Sequence, residues 1–285
     1  MIKLLSYVWN HSLSRTSRVQ AISRVLRWQI ATRIIKMPIV IPFVDSTVLV
    51  AEKSMTGVTG NFYCGLHEFE DMAFLLHFLR SNELFIDVGA NVGSYTILAS
   101  GAVGAKTICI EPVRNTYEKL LRNVRINDLS DIVRTELCAI SDNNGELRFS
   151  TDRDTMNSVV DDSYQGVSEL IPVRKLDDVL ENYNPVMMKI DVEGHELSLL
   201  RGATRTLVNP TLQVIFLEGQ NEDINGIMKR NGFQMACYDP KLRLVFEQTK
   251  RSGPHTSNQL WIRNIEEAGR RCSSAKKFNA QGMLI

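Results

Sequence analysis

The chain has 285 residues, of which 44% are hydrophobic and 23% are charged. This composition fits one large or two small domains with a hydrophobic core, and it excludes collagen-like, coiled-coil and wholly disordered proteins. Lysine and arginine number 33 against 32 aspartate and glutamate residues, so the formal net charge is +1. A dedicated nucleic-acid-binding protein is usually far more basic than this.

The charge is unevenly distributed along the chain. Residues 1–44 contain seven basic residues and no acidic residue, whereas residues 45–262 contain 21 basic and 30 acidic residues, a net charge of −9. A basic N-terminal segment therefore precedes an acidic body. Because the acidic body would repel phosphate groups, we expect no nucleic-acid partner.

The cysteines indicate a reducing compartment. The five cysteines are scattered, with neither a Cys-x-x-Cys pair nor the spacing of a metal-binding motif. No stretch approaches the roughly 20 apolar residues of a membrane span, and no secretory signal is convincing. The sequence therefore predicts a cytoplasmic protein.

Residues 1–65 form a predicted basic N-terminal extension. Within residues 17–36, apolar side chains recur at helical spacing with arginines between them; they are Val19, Ile22, Leu26, Ile30 and Ile34. We favour a helix that packs on the body through this stripe, and the alternative is a peripheral membrane contact through residues 1–36. Residues 39–44 and 47–51 resemble short strands, and residues 55–65 a loop.

Residues 66–263 form the predicted main domain, in which strands and helices alternate. The predicted strands are 84–88, 106–110, 132–140, 146–149, 170–173, 186–190, 212–217, 233–238, 242–246 and 259–262. The predicted helices are 68–79, 93–100, 114–126, 175–181, 195–207 and 222–231. Residues 151–165 are polar and resemble an inserted loop, and the tail at 264–285 shows no clear period. The alternation predicts a doubly wound, mostly parallel α/β sheet.

The loop after the first strand of this domain is the clearest functional motif. Residues 85–94 read Phe-Ile-Asp-Val-Gly-Ala-Asn-Val-Gly-Ser, so Asp87 lies in a buried strand, and Gly89 and Gly93 precede a helix. Glycines at such a turn let a ligand approach the backbone, and open sheets bind ligands at the carboxyl ends of their strands. Glu111, at the end of the next strand, stands where a carboxylate that binds ribose hydroxyls is expected. Together these features predict a nucleoside-containing cofactor.

The details of the loop favour one such cofactor. A dinucleotide site needs Gly-x-Gly-x-x-Gly, but Asn91 and Ser94 stand where the second and third glycines belong. Asp87 and Asn91 instead suit the ammonium and carboxylate of an amino acid joined to a nucleoside, which describes S-adenosylmethionine. An NAD(P)-dependent Rossmann oxidoreductase and a catalytically silent nucleoside-binding module remain as alternatives.

A second acidic cluster follows the strand at 186–190. Asp191, Glu193, His195 and Glu196 should lie in the same crevice as Asp87, where crowded like charges raise at least one pKa. We predict Asp191, Glu193 and His195 as catalytic residues, with His195 or Asp191 as general base and Glu193 as its orienting partner. A metal held by Asp191, Glu193 and His195 is the less favoured interpretation. His195 and Glu196 could instead serve only the start of the helix.

Taken together, these motifs resemble the FkbM-type family of S-adenosylmethionine-dependent methyltransferases. The resemblance covers about residues 65–220 and is carried by motifs in the correct order: Glu68-Phe69-Glu70, residues 85–93, Glu111-Pro112, residues 139–142 with Gly145, and residues 189–194 with Glu196 and Gly202. It implies a class I methyltransferase fold with a seven-stranded sheet whose final strand is antiparallel. It also implies O-methylation of a hydroxyl on a sugar, a glycan precursor or a secondary metabolite.

The resemblance also assigns cofactor contacts by position. Asp87, Gly89, Asn91 and Gly93 would surround the methionine moiety, and Glu111 would bind the ribose. The segment from Ala139 to Asp142 would lie at the adenine, and Glu70 of the upstream motif would also contact the cofactor.

Overall fold

A computed structural model describes residues 1–53, 55–150, 159–161, 164–219, 221–248 and 258–285. The helices are α1 (Ile2–Asn10), α2 (Arg18–Ile34), α3 (Thr56–Cys64), α4 (Phe69–Phe78), α5 (Ser94–Ile97), α6 (Arg114–Ile126), α7 (Leu176–Leu180), α8 (Glu196–Arg201), α9 (Thr204–Val208), α10 (Glu222–Arg230) and α11 (Ile265–Ser273). The strands are β1 (Ile39–Pro42), β2 (Val48–Ala51), β3 (Leu84–Val88), β4 (Lys106–Ile110), β5 (Val133–Glu136), β6 (Ala139–Ser141), β7 (Gly145–Ser150), β8 (Ser168–Lys175), β9 (Met187–Ile190), β10 (Val214–Glu218), β11 (Gln234–Asp239), β12 (Leu244–Glu247), β13 (Asn258–Ile262), β14 (Asn279–Ala280) and β15 (Met283–Leu284). The predicted loop at 151–165 lies largely outside the described residues.

The main sheet has the predicted α/β architecture. Its order is β12-β11-β13-β10-β9-β3-β4-β5, with parallel pairing from β10 through β5 and antiparallel pairing of β13 with β10 and β11. This confirms a class I methyltransferase sheet with an antiparallel final strand. The sheet has eight strands rather than seven, because β12 adds to the edge by antiparallel pairing with β11.

Two hydrophobic clusters cover the two faces of this sheet. One joins inward side chains of β3 and β10 to helices α7–α10 and includes Leu176, Leu199 and Ile224. The other joins the opposite faces of the strands to α2, α4, α6 and α11 and includes Phe74 and Leu120. Strands buried on both faces are expected for parallel sheets, which explains their continuous apolar sequences.

Helix α2 packs by a different face from the one predicted. Its buried side chains are Ala21, Val25 and Trp28, whereas Val19 and Ile34 are 79% and 76% exposed. The predicted helix therefore packs on the body, but the predicted stripe does not mediate this packing, apart from Ile22, which contacts the large hydrophobic cluster. Periodicity misled because α2 is apolar on both sides, so the stripe could not show which side faces the core.

Residues 55–65 form a helix rather than the predicted loop. Helix α3 contains Gly57 and Gly60, residues that lower intrinsic helix propensity and favoured the loop assignment. A Cβ atom at Gly60 would lie 2.5 Å from the Nδ1 atom of His67. This glycine is therefore required by the close packing of the His67 ring on α3, a tertiary demand that propensity does not include.

Two predicted elements are each divided in the structure. The predicted strand at 132–140 becomes β5 in the main sheet and β6, which leaves that sheet to pair with β8 in the small sheet β6-β8-β7. The predicted helix at 195–207 is broken between α8 and α9. The break lies at Gly202, where a Cβ atom would be 2.0 Å from the Ser141 carbonyl oxygen.

The tail at 264–285 is ordered and packed. Asn264 caps α11 by accepting a hydrogen bond from the Glu267 amide at 3.0 Å, and Cys272 and Phe278 are buried in the larger hydrophobic cluster. Strands β14 and β15 then form a short hairpin. Among the helices of the described residues, none is both long and apolar enough for a membrane span.

Candidate active site

A cavity of about 300 Å³ opens at the carboxyl ends of β3, β4, β9 and β10. The order of strands reverses at β3, which lies between β4 and β9, so this is the crevice where open α/β sheets bind ligands. The predicted residues that line it are Asp87, Gly89, Asn91, Glu111, Ala139, Asp191, Glu193 and His195. Glu70, Gly93 and Asp142 are not among the lining residues.

The loop between β3 and α5 uses its own backbone amides internally. The amides of Gly89 and Ala90 both donate to the Ile110 carbonyl oxygen at 3.0 Å, and the Gly93 amide donates to the Ala90 carbonyl oxygen at 2.8 Å. The Asn91 amide donates to Glu111 Oε2 at 2.9 Å, and the Val92 amide to Asn91 Oδ1 at 2.8 Å. The amides of residues 89–93 therefore donate within the protein, while Gly89, Asn91 and Ser94 line the cavity, and the approach of a ligand to this turn stays a prediction.

The two loop glycines are required by packing within the protein. Gly89 has φ +76°, and a Cβ atom there would lie 1.8 Å from the Asp191 carbonyl oxygen. Gly93 has φ +89°, and a Cβ atom there would lie 2.5 Å from Leu120 Cδ1 on α6. Both positions combine a left-handed backbone with a close approach, which only glycine tolerates.

Asp87 belongs to the cavity wall, and one of its side-chain oxygens is buried without a hydrogen-bond partner among the described residues. Its side chain is 1% exposed, and Oδ2 accepts a hydrogen bond from Thr96 Oγ1 at 2.7 Å. Within the described chain no hydrogen bond reaches Oδ1. Burial raises the pKa of this carboxyl group, while the ammonium of Lys189 opposes that shift. A buried acceptor without a partner is costly, so Asp87 is suited to receive a donor from a ligand.

Glu111 is held rigidly at the end of β4. Its Oε2 accepts from the Asn91 amide and its Oε1 from the Val113 amide, each at 2.9 Å. Burial raises its pKa to about 7, although these two hydrogen bonds oppose the shift. Each carboxylate oxygen has a second lone pair, so Glu111 can still accept two hydroxyl donors from a bound ribose.

Lys189 is a buried cation at the centre of the site. Its Nζ lies 2.6 Å from Asp191 Oδ2 and 4.8 Å from the ring centroid of Tyr95, whose hydroxyl donates to Glu68 Oε2 at 2.8 Å. Burial opposes its charge, but the carboxylates of Asp191, Glu68 and Asp87 outweigh burial and raise the Lys189 pKa. The charged amine therefore balances several of the acidic groups that crowd this crevice.

Asp191 and Glu218 form a carboxylate pair beside this cation. Lys189 lowers the pKa of Asp191 against the effect of burial, whereas burial and the Asp191 charge raise the pKa of Glu218 to about 7. Oxygens of Asp191, Glu193 and Glu218 lie within 4.8 Å of one another. Carboxylate groups of this kind can bind divalent cations, but Lys189 already supplies a positive charge here.

His195 lies at the start of α8 and lines the cavity. Its Nε2 and the Ser141 hydroxyl are 2.9 Å apart, and burial lowers its pKa, so the imidazole is neutral near pH 7. Glu193 has a positive φ of 45° and a pKa that burial raises. Glu196 turns away from the cavity, where its Oε1 accepts from the Gly194 amide at 2.9 Å and stabilises the helix start.

Several residues of the site were not singled out from the sequence. Glu68, rather than Glu70 of the same motif, lines the cavity, while Glu70 Oε1 lies 3.5 Å from the Ser12 hydroxyl. Asn61 on α3 and His67 also line it. Lys189 had a visible signal, since a lysine inside the otherwise apolar strand β9 requires a buried partner.

The strand order, with a cavity at the switch point and carboxylates at the strand ends, defines this domain as a class I methyltransferase fold. A model described as the methyltransferase FkbM domain matches residues 87–235, just over half of the chain. The chain therefore belongs to the FkbM methyltransferase family.

Two curated relatives are methyltransferases by name. The chain is 23% identical over 206 residues to methyltransferase sdnD of Sordaria araneosa, covering 59% of this chain and 80% of sdnD. It is 26% identical over 144 residues to the hexuronic acid methyltransferase AglP of Haloferax volcanii, covering 50% of this chain and 58% of AglP.

Among solved structures, the precorrin-6y C5,15-methyltransferase of Geobacter metallireducens GS-15 matches with a TM-score of 0.42 and 10% identity, covering 75% of this chain and 93% of that chain. The family match and the two named relatives support methyltransferase activity.

Proposed function

We propose that the protein uses S-adenosylmethionine to methylate a hydroxyl group of a sugar, a glycan precursor or a secondary metabolite. The cofactor assignment rests on the hydrogen bonding of the β3–α5 loop and of Asp87. The backbone amides of residues 89–93 donate within the protein, while Asp87 Oδ1 is buried without a partner among the described residues. This combination suits the ammonium group of an amino acid, and the absence of the second and third glycines of the dinucleotide motif disfavours NAD(P).

The residues present fit the cofactor along its length. Glu111 would accept hydrogen bonds from the ribose hydroxyls, and Asp87 with Asn91 would contact the methionine moiety. Ala139, with its neighbours Cys138 and Ile140, lines the part of the cavity where the adenine would lie. The assignment extends the FkbM-type resemblance residue by residue and rests on the chemistry of these donors and acceptors.

When bound, S-adenosylmethionine supplies an electrophilic methyl group to the acceptor oxygen, which loses its proton as the new bond forms. The protein must therefore hold the acceptor in line and take up one proton. Asp191 and Glu218 are the groups that we assign to this task. Lys189 keeps Asp191 ionised, and the raised pKa of Glu218 lets that carboxyl group accept or release a proton near neutral pH.

His195 is the second candidate for the proton acceptor. It is neutral near pH 7 and can accept a proton, but its Nε2 is already hydrogen-bonded to the Ser141 hydroxyl. Glu193 lies beside Asp191 and would orient the acceptor rather than take its proton. The variants Glu218→Gln and His195→Asn separate the two candidates. Substitution of the residue that accepts the proton should lower turnover without weakening cofactor binding, whereas the other substitution should leave turnover largely unchanged.

The substrate proposal is tested by transfer of a labelled methyl group to three acceptor classes: nucleotide sugars, lipid-linked glycans and small hydroxylated metabolites. The product is then treated with alkali, which hydrolyses methyl esters but leaves methyl ethers intact. This step matters because a hexuronic acid, the substrate in the name of AglP, carries both hydroxyl groups and a carboxylate. Alkali-stable label is the expected result, and alkali-labile label would contradict O-methylation of a hydroxyl.

A further inference from the structure

The outer face of α2 is an exposed apolar surface. Opposite its buried side chains, four residues lie along one side of the helix and continue into the following segment; they are Val19, Leu26, Ile30 and Ile34, followed by Met37, with exposures between 51% and 79%. We call these five residues the α2 stripe. A helix that is apolar on both sides is normally covered on both sides, so the α2 stripe requires a partner.

The charged residues of the segment that carries the α2 stripe are all positive. Arg15, Arg27, Arg33 and Lys36 are exposed, and residues 1–44 contain no acidic residue. Within the described parts of the chain, none of these four forms a salt bridge. A surface that combines apolar side chains with unpaired cations is complementary to an apolar layer carrying negative charge.

We propose that residues 15–37 dock this protein on an anionic membrane surface, with α2 lying in the plane of the interface. The α2 stripe would enter the boundary between headgroups and acyl chains, and the arginines would contact lipid phosphates. Arg27 and Arg33 are exposed on α2, and a helix that lies on a bilayer combines an apolar face with such exposed cations. Trp9, which is 46% exposed and stacked with Arg18 at 5.0 Å, adds an aromatic group of the kind found at membrane interfaces.

The docking segment is joined to the active site through short contacts. Arg24 on the inner side of α2 donates to the Tyr63 carbonyl oxygen on α3 at 3.0 Å, and α3 supplies Asn61 to the cavity wall. The Tyr7 hydroxyl on α1 lies 2.7 Å from Nδ1 of His67, another cavity residue. If residues 15–37 dock on a membrane, these contacts place the cavity wall formed by Asn61 and His67 near the membrane surface.

The test is co-sedimentation of the full chain with vesicles of phosphatidylcholine alone or phosphatidylcholine mixed with phosphatidylglycerol. We expect binding to the mixed vesicles, with weakening at high salt. The triple variant Leu26→Ser/Ile30→Ser/Ile34→Ser should lower the partition coefficient by at least about tenfold. The variant Arg27→Gln/Arg33→Gln should lower it roughly 25-fold on mixed vesicles, since each basic residue contributes about fivefold near an anionic surface.

Matched controls remove the same types of residue elsewhere. Val208 and Leu242 are exposed apolar residues, and Arg114 and Arg125 are exposed arginines on α6; the variants Val208→Ser/Leu242→Ser and Arg114→Gln/Arg125→Gln should bind vesicles as the wild type does. Equal losses in test and control variants would overturn the proposal. Failure of the wild-type protein to bind either kind of vesicle would also overturn it. In that case, light scattering can show whether the wild type forms a dimer that the triple variant abolishes. That last result would assign the α2 stripe to self-association.

Discussion

Gly89 is required by the packing of the protein backbone at the edge of the cavity. The turn after β3 must pass so close to Asp191 that any side chain would overlap a carbonyl oxygen. The same turn satisfies its own amides, which leaves the side chains of Asp87 and Glu111 to face the cavity. The carboxylates at the ends of β3 and β4 therefore form part of the cavity wall.

Replacing Gly89 by alanine tests this account of the turn. Gly89→Ala should destabilise the fold by more than about 4 kcal/mol, because it adds a backbone clash to the strain of a positive φ. Gly282→Ala is the matched control: its φ is +86° and its added Cβ meets nothing within 4 Å, so it should cost only about 1–2 kcal/mol. Urea unfolding of both variants measures the difference, and equal losses would contradict the close approach.

The Asp191–Glu218 pair makes a prediction about pH. The pKa of Glu218 is raised to about 7 by burial and by Asp191, so the group is a carboxylate above pH 7 and protonated below it. With saturating cofactor, kcat should therefore rise with pH through about 7. Glu218→Gln should lower kcat by about a hundredfold and remove this ionisation from the profile.

The control for this prediction is His195→Asn, measured in the same way. If Glu218 takes the proton, this variant keeps the inflection in kcat near pH 7. A profile that survives in Glu218→Gln but disappears in His195→Asn would move the assignment to His195. Glu111, whose pKa also lies at about 7, should affect the KM for the cofactor rather than kcat at saturation.

Among the site residues, those at the ends of strands could be predicted from the sequence. Residues whose position depends on contacts between elements could not. Asp87, Glu111 and Asp191 were predictable because parallel strands end at the same edge of the sheet. The sequence could not show that Glu68 rather than Glu70 lines the cavity. Glu68 lies just before α4 and Glu70 lies in its first turn, and only the packing of α4 decides which of them faces the site. Lys189 lies inside β9 rather than at its end, and its contacts depend on how β9 pairs with its neighbours, which sequence periodicity does not specify.

Among the secondary-structure elements, α3 is the clearest case in which tertiary packing overrides local propensity. Its two glycines differ in environment: a Cβ at Gly60 would meet the His67 ring, whereas a Cβ at Gly57 would meet nothing within 4 Å. Gly60→Ala should destabilise the protein by about 1–3 kcal/mol through overpacking. Gly57→Ala should instead be neutral or stabilise it by up to about 1 kcal/mol, because alanine favours a helix.

Thermal or urea unfolding of the two variants, without ligand, provides the measurement. The two substitutions share one helix and one change in chemistry, so their difference reports the His67 contact. Similar stabilities would mean that His67 does not pack on α3 in solution. Strands β3 and β4 were predicted to the residue because their apolar pattern is local. Helix α3 was not predicted, because its formation depends on packing against residues outside it.

The whole molecule joins its N-terminal extension, central sheet and tail through one large hydrophobic cluster. Val25 from α2, Phe74 from α4 and Cys272 from α11 all belong to it. The basic segment at 1–44 and the acidic body are therefore parts of one packed unit, with the positive charge on the outer side of α2. Six acidic residues line the cavity together with Lys189, and Asp87, Glu111, Asp191 and Glu218 are among them.

The central claim is that this cavity binds S-adenosylmethionine through the carboxylates at the ends of its strands. Isothermal titration calorimetry with S-adenosylhomocysteine and with NADH tests it most directly, using the wild type, Glu111→Gln and Glu136→Gln. Glu136 ends the neighbouring strand β5 but does not line the cavity, so it is the matched control.

We expect the wild type and Glu136→Gln to bind S-adenosylhomocysteine with the same affinity and to show no binding of NADH. Glu111→Gln should bind it about 10- to 100-fold more weakly, the loss expected when hydrogen bonds to a charged acceptor are removed. Binding of NADH in place of S-adenosylhomocysteine, or equal affinity in all three proteins, would contradict this claim.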